Sequence, residues 1–173
     1  ERMIEYFKGD IKYGNDEKIG LIKLNNKNLI PRESYDIVGD FSSASFIIVA
    51  ALISPESEVI IKNVGLNPTR NGLLKVLALM GADIEIKNVK NICNEESGDI
   101  LVRSSNLNGV DIPEDIIPNI IDEIPILSIA AAFAEGTTNI NNAAELRVKE
   151  SDRINAIAEG LKKLNINHEV FDD

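Results

Sequence analysis

Two stretches of the chain, Phe46 to Ile53 and Ile124 to Ala134, are apolar around nearly the whole circumference of a helix. A surface helix keeps a polar face, so a helix without one is expected to be surrounded by protein. The two stretches head an internal repeat. Phe46 to Val64 aligns without a gap on Pro125 to Ala143, a displacement of 79 positions. Each copy reads as an apolar helix, then a tight turn at Pro55-Glu56 or Glu135-Gly136, then a strand ending in Lys62-Asn63-Val64 or Asn141-Asn142-Ala143.

A second helix follows in both copies, and it is amphipathic. Leu73, Val76, Leu77 and Met80 recur at helical spacing in one copy, as do Ile154, Ile157, Ala158, Leu161 and Leu164 in the other, so this helix is expected nearer solvent. Met80 to Ile86 matches Leu164 to Val170 at a displacement of 84, so the second copy has gained five residues between its strand and its second helix, around Glu145 to Arg153. After Gly81, Asp83 to Lys87 alternates polar and apolar as a half-buried strand, and Asp99 to Arg103 is its expected partner beyond a polar loop from Asn88 to Gly98. With a short opening strand near Asp36 to Val38, the unit is β-α-β-α-β-β in a mixed α+β chain. It occurs twice, over about residues 36–104 and 105–173.

Ahead of the units, Asp10 to Asn25 holds a Gly14-Asn15-Asp16 turn between two strand-like runs, and Asn25 to Ser34 is a polar linker containing Pro31. A domain boundary is placed near Tyr35, with residues 1–35 the tail and linker of a preceding domain and 36–173 an incomplete second domain. Glu1 to Phe7 reads as the last turns of a helix, and Phe171-Asp172-Asp173 follows a strand-like pattern directly. These ends are those expected of an excised fragment.

Composition narrows the function. With 173 residues, 44% hydrophobic and 27% charged, the chain suffices for a packed core. The net charge of −10 argues against a nucleic-acid partner, which needs a surplus of clustered Lys and Arg. One cysteine, Cys93, and one histidine, His168, leave no internal disulfide and no His/Cys metal set, which points to a reducing, cytoplasmic location. The apolar runs are too short and interrupted to cross a bilayer, and no signal-peptide pattern opens the chain.

Candidate chemistry gathers at helix starts and in the insertion. Gly39 to Ala44 has the form of a helix N-terminus that caps itself through Asp40, Ser42 or Ser43, or collects an anion. In the second copy Asp122 stands where Ser43 stands in the first, and Asp122 and Glu123 are also accounted for by capping. The insertion is more telling. Glu145, Arg147, Lys149, Glu150, Asp152 and Arg153 put six ionisable groups into nine positions, on a strand-to-helix loop that the sister copy lacks. If Lys149 or Glu150 opens the helix, Lys149 and Arg153 share a face at i, i+4. A solvated ion-pair network is the competing account. The shorter loop of the first copy, Gly65 to Arg70, carries one cation, Arg70.

Leu146 to Arg153, preceded by Ile121 to Pro125 and Ala134 to Thr138, resembles the signature of the 5-enolpyruvylshikimate-3-phosphate synthase family. Gly39 to Ser45, Leu66 to Gly72 and Glu1-Arg2-Met3 are similar to further segments of that family. The resemblance implies repeated β-α-β-α-β-β units with buried helices and outer sheets, in two domains that close over the substrates. It implies transfer of the enolpyruvyl group of phosphoenolpyruvate to the 5-hydroxyl of shikimate 3-phosphate, on the path to chorismate and aromatic amino acids, with release of phosphate. On the family pattern Asp122 lies against the shikimate hydroxyls as base, Glu150 handles the methylene proton, Lys149 spans both substrates and Arg153 grips phosphoenolpyruvate. Neither a metal nor an organic cofactor is implied, and the parent protein is expected to be a monomer.

The chain departs from the family in Ile37-Val38 before Gly39, where a proline is frequent. The family's amino-terminal Lys-Ser segment, its substrate-holding serines and glutamine and its later Asp-His-Arg stretch have no counterpart here, so negligible turnover is expected of this chain alone. A UDP-sugar enolpyruvyl transferase would share the fold but needs a reactive cysteine on an amino-terminal loop, and Cys93 lies in a polar loop of no such motif. An RNA 3′-phosphate cyclase would need a basic stripe. A folded, non-catalytic module that binds anions at Arg147, Lys149 and Arg153 is the remaining alternative.

Overall fold

The computed structural model of the chain describes residues 2–13, 22–25, 29–31 and 33–171; Glu1, the Gly14-Asn15-Asp16 turn and Asp172-Asp173 lie outside the described residues. Helix α1 (Arg2–Tyr6) precedes two short antiparallel strands, β1 (Ile11–Tyr13) and β2 (Ile22–Leu24), with Ile11 opposite Leu24. The first repeat then runs α2 (Phe41–Ile53), β3 (Glu58–Gly65), α3 (Gly72–Leu79), β4 (Asp83–Ile92) and β5 (Glu95–Arg103). The second supplies α4 (Ile124–Ala132) and α5 (Arg153–Lys163), with 3-10 turns at Glu114–Asn119 and Ala144–Val148.

In the first repeat β5 lies between β3 and β4, antiparallel to both, with Ile100 opposite Ile61 and Ile86, and Val102 opposite Val59 and Ile84. The strands are longer than the alternating core of the sequence predicts. The segment expected as a polar loop from Asn88 to Gly98 is mostly strand, closed by a two-residue turn at Cys93-Asn94 whose φ angles are +52° and +66°. Positive φ at both central residues matches the right-handed twist of a hairpin, and polar side chains suit β4 because it is exposed from Glu85 to Asn91. The expected opening strand at Asp36 to Val38 is reduced to one parallel bridge, Gly39 to Val64.

One carboxylate organises the irregular part of this sheet. The register shifts between Ile61 and Val64 on β3 and between Lys87 and Lys90 on β4, where Asn63 and Asn88 take left-handed φ of +55° and +51°. Asp99 on β5 accepts from the Asn63 backbone N–H at 2.9 Å and from Asn88 Nδ2 at 2.8 Å. Those two hydrogen bonds, the Asn88 side chain foremost, hold the Asp99 carboxyl below its ordinary value of 3.8.

The two repeats share one core. Ile48, Val49 and Leu52 of α2, Leu73, Val76 and Leu77 of α3, and Ile100 and Val102 of β5 are buried together with Ile120, Leu127, Ala130 and Leu146 of the second repeat. Helices α2 and α4 lie against each other. Helix α4 has no exposed position, as the sequence reading expects, whereas Phe46 and Ile47 on α2 are 56% and 51% exposed, with no element among the described residues on that side. The amphipathic reading fits α5, which has no fully buried residue, and α3, which turns Lys75, Ala78 and Leu79 outward.

The repeat persists in the backbone where the strands do not. Asn142 has φ of +59°, as Asn63 has in the first copy, and Asn165 stands left-handed at +56° where Gly81 stands at +90°. Yet residues 137–143 and 166–171 form no strand, and only the single parallel bridges Asn108 to Glu135 and Asp111 to Asn139 mark the second sheet. In the first repeat β3 and β4 both pair through β5. The corresponding segments of the second repeat, 137–143 and 166–171, do not pair with each other. Between them is an open cavity of about 980 Å³, lined by Ile124, Ser128, Ile140, Ile157, Leu161 and Val170 among others.

Gly109 sits between the two bridges, where a Cβ would come within 2.3 Å of the Thr137 carbonyl oxygen. Gly109→Ala should therefore lower stability by about 1–3 kcal/mol, read by denaturant unfolding. For Asp99 the folded-state pKa lies below the unfolded one, so its contribution is present above the ordinary carboxylate value and lost as pH falls through the depressed one. Asp99→Asn should lower the melting temperature at pH 7 and flatten the loss of stability below about pH 4, as thermal melts across pH 2 to 7 would check.

Candidate active site

The five extra residues do not lengthen α5. Asp152 is its N-cap, accepting from the Asn155 backbone N–H at 3.0 Å and from Asn155 Nδ2 at 2.6 Å, so the helix opens at Arg153 rather than at Lys149 or Glu150. Residues 144–148 make a 3-10 turn pinned by the fully buried Leu146, and Lys149 follows in extended backbone. Lys149 and Arg153 therefore do not share a helix face. They meet instead at a third residue.

That residue is Asp122, on the turn before α4. Its Oδ1 lies 3.3 Å from Arg153 Nη1 and 3.9 Å from Lys149 Nζ. Arg153 also donates through Nη2 to Glu150 at 2.5 Å, and Lys149 pairs with Glu145 at 3.1 Å. The four residues singled out in the sequence, Asp122, Lys149, Glu150 and Arg153, thus form one connected cluster. The cations are the more sheltered members, with side chains 25% and 23% exposed, while Asp122 is 44% and Glu150 76% exposed. Arg147 turns away: its Nη2 donates to the Phe171 carbonyl at 2.6 Å, and its Nη1 is 3.9 Å from Asp152.

Electrostatics follow from these contacts. The hydrogen bond from its own backbone N–H, then that from Arg153, holds Glu150 below the usual carboxylate range, and Glu150 in turn raises Arg153. Glu150 is accordingly a proton acceptor at neutral pH, and Arg153 a permanent cation. Two cations beside Asp122 and Glu150 can hold an anionic ligand while leaving carboxylate oxygens free to take a proton.

At the helix starts the sequence reading is half met. Asp40 caps α2, accepting from Ser43 N and Oγ, both at 2.7 Å, and the Ser43 hydroxyl foremost draws its carboxyl below the usual range. Capping fails as an account of Asp122 and Glu123, since α4 has no side-chain cap bond. Asp122 faces the cations, and Glu123, 2% exposed, accepts from Ser42 Oγ at 2.5 Å. Arg70 Nη2 donates to the same Ser42 oxygen at 3.0 Å. Alignment of the copies gives no sign of this link, because it joins residues at different repeat positions. The buried acid at an apolar helix start was the available signal.

Among the described residues no group of three or more His, Cys, Asp and Glu is arranged to hold a metal ion, and no helix is long and apolar enough to cross a membrane. Cys93 occupies the hairpin turn, and His168 Nδ1 lies 2.9 Å from the Ile166 carbonyl. The large cavity borders none of the four cluster residues.

Comparison with known proteins gives the family of the chain. The family model for EPSP synthase (3-phosphoshikimate 1-carboxyvinyltransferase) matches residues 1–173. A 3-phosphoshikimate 1-carboxyvinyltransferase of Petrotoga mobilis is 56% identical over 167 residues, 96% of this chain and 38% of the relative, and one of a Synechococcus strain is 46% identical over the whole chain. A solved EPSP synthase structure from Acinetobacter baumannii superposes with a TM-score of 0.92 at 40% identity, covering 99% of this chain and 38% of that one. The chain spans little more than a third of the length of these relatives. With every residue matched by one family model, the chain belongs to the EPSP synthase family.

Proposed function

We propose that the protein carrying this chain transfers the enolpyruvyl group of phosphoenolpyruvate to the 5-hydroxyl of shikimate 3-phosphate, and that this chain contributes part of its active site. The observation that supports the reading best is the convergence of Lys149 and Arg153 on Asp122 across two separate loops. In the addition step the hydroxyl oxygen bonds to C2 of phosphoenolpyruvate, the hydroxyl proton passes to Asp122, and Glu150, in its protonated form, gives a proton to the methylene carbon. In the elimination step the C2–O bond to phosphate breaks and the new methyl group loses a proton.

Arg153 grips phosphoenolpyruvate, and Lys149, between Asp122 and Glu145, lies beside both substrates and offsets their charge. Glu150 handles the methylene proton. Its depressed pKa suits it to removing that proton in the elimination step. No metal or organic cofactor takes part. Residues 1–35 are the tail of a preceding domain, and 36–173 belong to the second. The parent enzyme acts as a cytoplasmic monomer, and its ligands are small anions rather than nucleic acid, in keeping with a net charge of −10. A sister enzyme acting on a UDP-sugar is less well supported, since Cys93 lies in a hairpin turn outside the charged cluster.

The isolated chain is a folded anion-binding module without turnover, in keeping with its span of 38% of its relatives and with a cluster open enough to leave Glu150 76% exposed. Titrated with shikimate 3-phosphate and phosphoenolpyruvate, it should bind weakly and release no phosphate; full turnover by the chain alone would refute this. In the full-length protein Asp122→Asn and Glu150→Gln should each lower kcat by about 10²–10⁴-fold with the fold intact. A near-normal rate in either variant would overturn its role.

A further inference from the structure

Glu123 takes no part in the proposed reaction, yet it is the only charged residue among the buried described ones. A buried carboxylate is costly unless it is hydrogen-bonded, and this one does not cap its own helix. Its side chain crosses to the first turn of α2, where Ser42 Oγ donates to it at 2.5 Å. The serine hydroxyl has one proton, and that proton goes to Glu123. Arg70 Nη2, 3.0 Å from the same oxygen, therefore donates to a lone pair. The result is a relay, Arg70 to Ser42 to Glu123, that sets a guanidinium one hydroxyl away from the buried carboxyl group and ties the start of α2 to the start of α4.

The neighbouring residue is Asp122. Its side chain makes no cap bond and meets Arg153 and Lys149. Its place depends on the backbone of the turn, which Glu123 fastens from both sides, its N–H bonded to the Ile120 carbonyl and its carbonyl to the Leu127 N–H. We propose that Glu123 is a positioning residue: held by Ser42 and Arg70, it locks the start of α4 so that the Asp122 carboxylate stays between Lys149 and Arg153. The inference rests on the reaction proposed above for Asp122.

The test uses the full-length protein, with kcat, KM for shikimate 3-phosphate and melting temperature measured for S42A, E123A, E123Q, the double variant S42A/E123A and D122N. S42A removes one hydroxyl and keeps the fold. A misplaced catalytic group can cost up to about a hundredfold, so E123A and S42A should each lower kcat by at least about tenfold. The double variant should be no worse than E123A, because both changes break one link. E123Q, which keeps an acceptor oxygen for Ser42, should restore most of the rate. Parental kcat in E123A and S42A, with D122N impaired, would overturn the lock alone. So would losses that merely follow melting temperature with E123Q no better than E123A. A normal rate in D122N would instead remove the reaction on which the inference rests.

Discussion

Two helices with almost no polar face must each find apolar surroundings, and in this chain they find much of them in each other. Packing α2 against α4 is the constraint on which the rest depends. It merges the two repeats into one core, and the Ser42 to Glu123 contact shows that the helices begin side by side. Everything polar at those two starts is thereby gathered at one edge of the core: Asp40, Ser42 and Ser43 from α2, Asp122 and Glu123 from α4. Helix N-termini present unpaired N–H groups and positive potential, so such an edge suits anionic ligands and ionised side chains alike.

The insertion in the second repeat brings the countercharges to that edge. Leu146 anchors it to the shared core and Asp152 stops α5 from growing backwards into it, so the backbone between them is left extended at Lys149. The first repeat has the shorter loop, and its one cation, Arg70, reaches the same edge from the other side to meet Ser42. The two halves are unequal at this edge. One half carries an open, charged cluster around Asp122. The other carries a hydroxyl and a guanidinium that hold the adjoining buried acid.

The first repeat has a complete three-stranded ladder whose irregularities are stapled by Asp99, whereas the second keeps the left-handed Asn142 and Asn165 but only isolated bridges. Left-handed turns are local properties of Asn and Gly and survive without a partner strand. Ladder hydrogen bonds are not local, and they form only where a central strand is present to share them.

How much was legible in the sequence follows this division between local and non-local. Helical spacing located α3 and α5, continuous apolar runs located the body of α2 and α4, and alignment of the two copies located the repeat and its insertion. Lys149, Glu150 and Arg153 were likewise visible as an excess of ionisable groups on a loop, whereas Asp122 read as a cap and only the family resemblance marked it as a site residue. The sequence did not show that the helix begins at Arg153, that Asp122 would be the carboxylate shared by the two cations, or that Glu123 would cross to another helix rather than cap its own. Nor did it show that Asn88 to Gly98 continues the hairpin, since exposed strands and loops are polar for the same reason. Residue type and spacing determine which local structures are possible; the meeting of side chains from distant positions is decided only when the apolar helices close on one another, because that packing sets which helix starts are neighbours.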